Sequence, residues 1–541
     1  MKQFFNEKDI NGLLTTKKAA MLIGVSDATI HNWIKTGYLE TQKNGFISLD
    51  SVNEFIENFI GKEKLTARAN KLKKDGHNHK LLCEIVEQEL SVEIFNENIS
   101  QKYENLLCES FRNKEGIYYT PCNIIADMYE TIDNIENRTF LDPCCGSGNF
   151  IIQAIEKGFN VKNIFGFDTD INAVEITKRR VFEKTGFTGD NIICGDFLEL
   201  AKKLNLKYDY IFTNPPWGKK LPKEIKFKFS EIYQTGKSVD TSSLFFFACL
   251  HILNDNGKLG LLLPESFFNI AVFEDARKAA LNFQIERLID YGKPFKGLIT
   301  RAYGMILKNV KADNRLKIKC ENKNSKIERS QQSFVKIPKY ILNFWADNEV
   351  NNVIEHIYSL PHITLADNAK WGLGIVTGNN SKVCKTNYDL GFVPVYRGQD
   401  ITPKGLKEPA LFISEDLSNC HQVAPMELYK AKEKLIYRFI SDKLVFYCDN
   451  NQNYILNSAN MLILNNTFPV SGQQLSDLLN SDFINWLFNN IFHTHKILRS
   501  DLEVLPVHVD YFHENKLFIE EKYLNYINIE KNKNGTYRLK K

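Results

Sequence analysis

Five short apolar runs, "TFLDPCC", "NIFGFD", "NIICGD", "YDYIFTN" and "GKLGLLLP", lie between residues 139 and 264 and are separated by segments of helical periodicity. Alternation of such short runs with helices makes them strands of βαβ units in a parallel, doubly wound α/β sheet. Few folds satisfy that pattern. In an open sheet of this kind, ligands bind beyond the carboxyl ends of the strands, so the residues closing each run are read as one constellation.

The first run closes on "DPCCGSGNF": Asp142 ends the strand, and Gly146 and Gly148 let the backbone pass close to a ligand before a helix begins near Asn149. The second closes on "GFDTD", which places Asp168 where an acid grips ribose hydroxyls. The third closes on "CGDF", with Asp196 beside Phe197. A nucleotide with phosphates calls for basic residues and a fuller GxGxxG loop, and neither is present. Acids at three successive strand ends suit an amino-acid cation, a ribose diol and an adenine amine, the parts of S-adenosylmethionine. The fourth run delivers "NPPW", residues 214 to 217, to the same edge. A Pro-Pro pair is most often a rigid surface turn. Here it also fixes two acceptors, the Asn214 side-chain oxygen and the Pro215 carbonyl, that can localise the lone pair of a conjugated exocyclic amine. Trp217 offers a face on which a flipped base can stack.

With these residues in place, residues 111 to 310 resemble the catalytic domain of the amino-group DNA methyltransferases of restriction-modification systems, N6-adenine type. The motifs stand in that family's gamma order: "GIYYTP", "DPCCGSGNF", "GFDTD", "CGDF", "NPPW", "TSSLFFFACLHIL", "GKLGLLLPESFF" and "YGKPFKGLITRAYGMIL". The resemblance implies that Thr120 and Asp142 hold the methionine end of the cofactor, Asp168 its ribose, and Asp196 with Phe197 its adenine. It implies that Asn214, Pro215 and Trp217 hold the target base and that Phe295 packs on it from the other side. Trp217 stands where the family more often has Tyr.

At 541 residues the chain exceeds one ordinary core, and about three or four domains are expected. The segment "TTKKAAMLIGVSDATIHNWIKTGYL" reads as two helices, with Gly24 as a stop and Ser26 as an N-cap. It resembles the helix-turn-helix of excisionase and MerR proteins, with "GFISLDSVNEFI" as wing and closing helix. Asp27, Thr29, His31 and Asn32 would then face a major groove. The expected division is a helix-turn-helix over 1–60, a helical linker over 61–110, the catalytic domain over 111–312, a linker over 313–345 and a target-recognition domain over 346–541. The last is placed by the phrases "WGLGIVTGNNSKV", "VPVYRGQDI" and "HTHKILRSDLEVLP", which resemble the recognition domains of the same enzymes. Its Tyr396, Arg397, Arg438, Lys443 and Lys496 are candidates to touch phosphates and bases.

A net charge of +4 neither requires nor excludes nucleic acid, although seven cations against two acids cluster between Lys62 and Lys80. Eleven cysteines without a CxxC pair suggest neither a zinc knuckle nor a disulfide framework. The His493-x-His495 pair has no acid or cysteine at ligand spacing, so no metal is expected. With no run of 18 apolar residues, the expectation is a cytoplasmic protein with no membrane partner. The expected partners are double-stranded DNA and a separate cognate restriction endonuclease. Cytosine-N4 methylation, methylation of a protein glutamine or RNA, a bifunctional enzyme that also cuts, and a DNA-binding regulator stand as alternatives. Asn rather than Ser before Pro-Pro favours adenine, and the long C-terminal region favours DNA.

Overall fold

The computed structural model describes residues 13–23, 30–31, 33–34, 39, 41, 46–48, 52, 86–88, 90, 98–107, 116–204, 206–295, 298, 300–313 and 315–540. Gly24, Ser26, Asp27, Thr29 and Asn32, and the basic run from Lys62 to Lys80, lie outside the described residues. The chain divides into two compact units. One is Met1–Leu200, Phe212–Pro222 and Phe295–Leu298; the other is Ala201–Ile211, Lys223–Pro294 and Ile299–Lys541.

In the first unit, strands β1 (Leu13–Leu14) and β2 (Ile47–Ser48) pair antiparallel, with Leu14 opposite Ile47. Helix α1 (Thr16–Ile23) lies between them in sequence, and Leu14, Ala19, Ala20, Ile30, Trp33 and Ile47 share a small core. His31 is exposed. Helix α2 (Ile99–Leu106) follows. Strands β3 (Phe140–Asp142), β4 (Ile164–Asp168) and β5 (Ile192–Cys194) are parallel, with Leu141 opposite Phe165 and Phe167 opposite Ile193. Helices α3 (Asn149–Lys157) and α4 (Ile171–Thr185) make the crossovers. Each has its local cause. Gly148 enters α3 at φ +89°, a conformation that glycine adopts without steric cost, and the Asp170 carboxylate caps α4 by accepting from Asn172 N.

Strand β6 (Tyr208–Thr213) is divided between the units, and the second carries β7 (Leu253–Pro264), β8 (Phe283–Asp290), β9 (Ala302–Lys311), β10 (Lys317–Glu321) and β11 (Lys326–Ser330). Within the second unit the strand order is β11-β10-β8-β9-β7, and within the first it is β3-β4-β5. β9 runs antiparallel to both β7 and β8, and β11 antiparallel to β10. The sheet is therefore mixed, where alternation alone predicts parallel strands. The stretch expected as a linker, 313–345, holds β10 and β11. In β10, Ile318 and Cys320 point inward while Lys317 and Lys319 stay exposed, so polar composition conceals a period of two.

Residues beyond 346 build two four-stranded sheets. One runs, in spatial order, Ala369–Leu373, Ala459–Leu464, Lys434–Arg438 and Phe446–Asp449, all antiparallel. The other contains Cys384–Lys385, Phe412–Ser414, Phe392–Tyr396 and Tyr454–Ile455. Helices Gly472–Asn480 and Asp482–Phe492 bury Leu475, Leu478, Phe483, Leu487 and Phe488 in one core, and Ile375, Val395, Ile436, Ile455 and Met461 form another.

Candidate active site

Every residue expected to bind cofactor or target base falls in the first unit. Asp142, fully buried at the end of β3, accepts from Thr213 Oγ1 at 2.7 Å and from Cys144 N at 3.1 Å through one oxygen; its other oxygen, Oδ2, has no partner. Burial pushes this carboxyl up to about 7. Asp168, half-buried at the end of β4, accepts from Gly146 N at 2.8 Å and Asp170 N at 2.9 Å, and burial raises its carboxyl as well. The glycine loop is shaped by contact. A Cβ on Gly146, at φ +49°, would sit 2.8 Å from the Tyr119 ring, and one on Gly148 would sit 2.8 Å from Thr177.

Asp196, exposed after β5, accepts from Leu198 N at 2.9 Å and so caps the following helical turn. Phe197 is buried, its ring 5.9 Å from that of Phe167. The side-chain hydroxyl of Thr120 is buried without a partner, while its carbonyl accepts from Asn149 Nδ2 at 3.1 Å. Two orphaned oxygens, on Thr120 and Asp142, thus belong to residues that the family resemblance assigns to one end of the same ligand. Buried polar atoms are almost always paired, so both oxygens keep hydrogen-bonding capacity for a further group.

The turn after β6 repeats this feature. Asn214 donates from Nδ2 to the Tyr118 carbonyl at 2.8 Å, which fixes the amide plane, and its Oδ1 is buried with no hydrogen-bond partner. Pro215 is buried beside it. Trp217 and Phe295, each 7% exposed, stand 5.3 Å apart between ring centroids, and Tyr118 lies 5.9 Å from the first and 5.3 Å from the second. Gly116, at φ +72°, leaves room for the backbone of Trp217: a Cβ there would meet its nitrogen at 2.6 Å. Tyr118, Gly116 and Thr213 were not legible as site residues. "GIYYTP" carries a glycine and two adjacent aromatics ahead of Thr120, and that is the available signal for the first two. Thr213 shows as the strand neighbour of Asn214.

Among the candidates to touch DNA, Lys443 and Lys496 are exposed. Tyr396 lies in a core, Arg397 is paired with Asp400 at 2.9 Å, and Arg438 donates to the Ile401 carbonyl at 2.7 Å. The last three therefore hold their own domain together. Among the described residues no cluster of three metal-capable side chains occurs, and no helix is long and apolar enough to cross a membrane.

Residues 96–332 match the N-6 DNA methylase family, and residues 393–507 match the TaqI-like C-terminal specificity domain. Type II methyltransferase M.VspI of Vibrio sp. (strain 343) is 47% identical over 409 residues, which is 75% of this chain and 100% of that protein. Modification methylase CviBIII of Paramecium bursaria Chlorella virus NC1A is 25% identical over 216 residues, 39% of this chain and 54% of that one. Among solved structures, the DrdV-DNA complex determined by cryoEM is similar in fold, with a TM-score of 0.50 and 14% identity; the likeness covers 83% of this chain and 58% of that longer one.

Proposed function

The chain belongs to the type II DNA methyltransferases of restriction-modification systems, with an N-6 DNA methylase domain and a C-terminal specificity domain, and from that premise we propose that it methylates the N6 amine of adenine at a specific site in double-stranded DNA. The observation that carries the reading is the orphaned Asn214 Oδ1. The amide is anchored through its nitrogen, so its oxygen is presented as an acceptor. An N–H of a flipped adenine pairs with that oxygen and the other with the Pro215 carbonyl, which draws the amine out of conjugation. Trp217, whose ring packs with those of Tyr118 and Phe295, offers the aromatic face on which a base held out of the duplex stacks.

The same orphan test supports S-adenosylmethionine as the methyl donor. Asp142 Oδ2 and Thr120 Oγ1 offer a buried acceptor and a hydroxyl to the ammonium and carboxylate of its methionine end. In this reading Asp168 holds the ribose diol, Gly146 and Gly148 keep side chains out of the loop, and Asp196 with Phe197 takes the adenine. When bound, this cofactor supplies an electrophilic methyl group on a sulfonium. The protein contributes position and preorganised dipoles, and the amine's proton leaves to water after transfer.

In this reading residues 1–60 are a helix-turn-helix DNA-binding module, the C-terminal domain chooses the sequence, and the modification protects cellular DNA from a separate cognate endonuclease in the cytoplasm. Incubation with DNA and isotopically labelled S-adenosylmethionine, followed by nucleoside mass spectrometry, tests it. Label in N6-methyladenine is the expected result. Label in N4-methylcytosine overturns the choice of base, and no label in DNA overturns the activity.

A further inference from the structure

Helix α2 stands ahead of every motif of the candidate catalytic domain, in a region where the sequence suggests only a helical linker, yet two of its side chains reach the candidate cofactor site. Ser100 Oγ hydrogen-bonds Ser147 Oγ, inside the glycine loop, and both residues are buried. One helical turn later, Tyr103, 2% exposed, donates from its hydroxyl to Asp170 Oδ2 at 2.5 Å. The two targets sit on different loops, one after β3 and the other after β4. Ile99, Tyr103 and Leu107 pack with Ala173 and Ile176 of α4, which seats the helix across both.

From each target the connection to a proposed cofactor ligand is one step. Asp170 caps α4 through Asn172 N, and its own N–H donates to Asp168 Oδ1 at 2.9 Å. Asp168 Oδ2 in turn accepts from Gly146 N, the residue before Ser147. Arg180 of α4 donates to the Ser147 carbonyl and to Asn149 Oδ1, and Asn149 holds the Thr120 carbonyl through its amide nitrogen. The loops bearing Thr120, Gly146 and Asp168 are thus tied into one network that α2 closes from outside.

We propose that Ser100 and Tyr103 are positioning residues for the methyl donor: α2 acts as a brace that fixes the spacing of the glycine loop and the Asp168 loop. The inference rests on the reading of this site as one for S-adenosylmethionine. Preorganised loops do not have to be ordered when the ligand binds, so loss of the brace shows as lost affinity. The bond to Asp170 is charge-assisted, the class whose removal typically costs about tenfold or more in binding.

The test uses the full chain and its Tyr103→Phe, Ser100→Ala and Ser100→Thr variants. S-adenosylmethionine affinity is measured by calorimetry, turnover at saturating cofactor is measured separately, and thermal melting shows that each variant is folded. The brace predicts that Tyr103→Phe and Ser100→Ala weaken cofactor binding about tenfold, that kcat stays within about twofold, and that Ser100→Thr restores affinity by keeping the hydroxyl. Affinity equal to the parent in both deleting variants, or a fall in kcat with affinity intact, overturns the proposal. A variant that fails to melt cooperatively near the parent temperature also overturns it, because the helix is then needed to fold the unit rather than to set its loops. A parent chain that binds no S-adenosylmethionine overturns the underlying reading instead, so the two failures are distinguishable.

Discussion

The turn at Asn214–Trp217 and the paired strands Lys434–Arg438 and Phe446–Asp449 both bury polar groups, and they treat them in opposite ways. At the turn, Asn214 Oδ1 is left without a partner, as are Thr120 Oγ1 and Asp142 Oδ2 elsewhere in the same unit. In the C-terminal strands Lys434 Nζ meets Asp449 at 2.7 Å with both side chains fully buried, and also donates to the Tyr429 carbonyl. Asp449 further accepts from Asn451 N, Asn453 N and Asn453 Nδ2. Among the described residues beyond 346, Trp371 Nε1 is the one buried side-chain polar atom without a partner. The difference teaches where to look for ligands. On the proposed reading, the atoms left without a partner in the first unit are completed by ligands, while the C-terminal strands satisfy their interior and leave exposed side chains to meet DNA.

Stability separates the two regions most strongly. Lys434→Ala strands a buried carboxylate and is expected to cost about 3–5 kcal/mol in urea unfolding. Asn214→Ala removes a group whose oxygen gains nothing in the free protein and is expected to stay within about 1.5 kcal/mol. Equal costs for the two substitutions break the comparison.

Trp217→Ala comes next. Loss of one stacking face is expected to weaken the interaction with the flipped base by about 1–3 kcal/mol, read as a 5- to 150-fold fall in kcat/KM for DNA. Cofactor affinity should be unmoved, and calorimetry checks it.

The two regions also respond to pH with opposite sign. The Asp142 carboxyl is raised from 3.8 to about 7 in the folded chain, so it contributes stability at low pH that is lost as pH rises from about 4 to 7. His508 is buried between the Tyr523 hydroxyl and the Ile357 carbonyl, so Nε2 carries the proton and Nδ1 accepts. Burial lowers it from 6.5 to about 4, and its contribution is lost as pH falls through that window. Asp142→Asn is expected to raise the melting temperature at pH 8 by a few degrees and to match the parent near pH 4. His508→Gln should narrow the loss between pH 6.5 and 4. Melting curves across pH check both signs.

The smallest effects belong to exposed cations. Lys443→Ala and Lys496→Ala are each expected to weaken DNA binding less than tenfold and, where the residue touches a phosphate, to reduce the salt slope by about one. Arg438→Ala, by contrast, should change folding stability and leave the slope unaltered, because its guanidinium is engaged by the Ile401 carbonyl. Filter binding at several salt concentrations separates the two behaviours.

What could be read from the sequence was what local order encodes. Asp142, Asp168 and Asp196 each follow an apolar run, and Asn214 precedes two prolines, so strand ends and their acids were visible without the fold. The long-range pairings were not. Ser100 meets Ser147 and Tyr103 meets Asp170 across 47 and 67 residues, and no periodicity reports such a contact. Arg438 stands among aromatics like a DNA contact, yet a carbonyl 37 positions away takes it. Strands β10 and β11 were hidden by Lys317, Lys319, Lys326 and Glu328 at outward positions, because composition averages over the two faces that a strand separates.

In the proposed reaction Asn214 Oδ1 accepts from the amine that is methylated. Single-turnover methyl transfer by Asn214→Ala, with S-adenosylmethionine affinity measured on the same protein, tests it most directly. The expected result is a rate at least about 10²-fold below the parent with cofactor affinity within about twofold. Parental transfer rates in that variant, or a loss of rate that follows a matching loss of cofactor affinity, would contradict it.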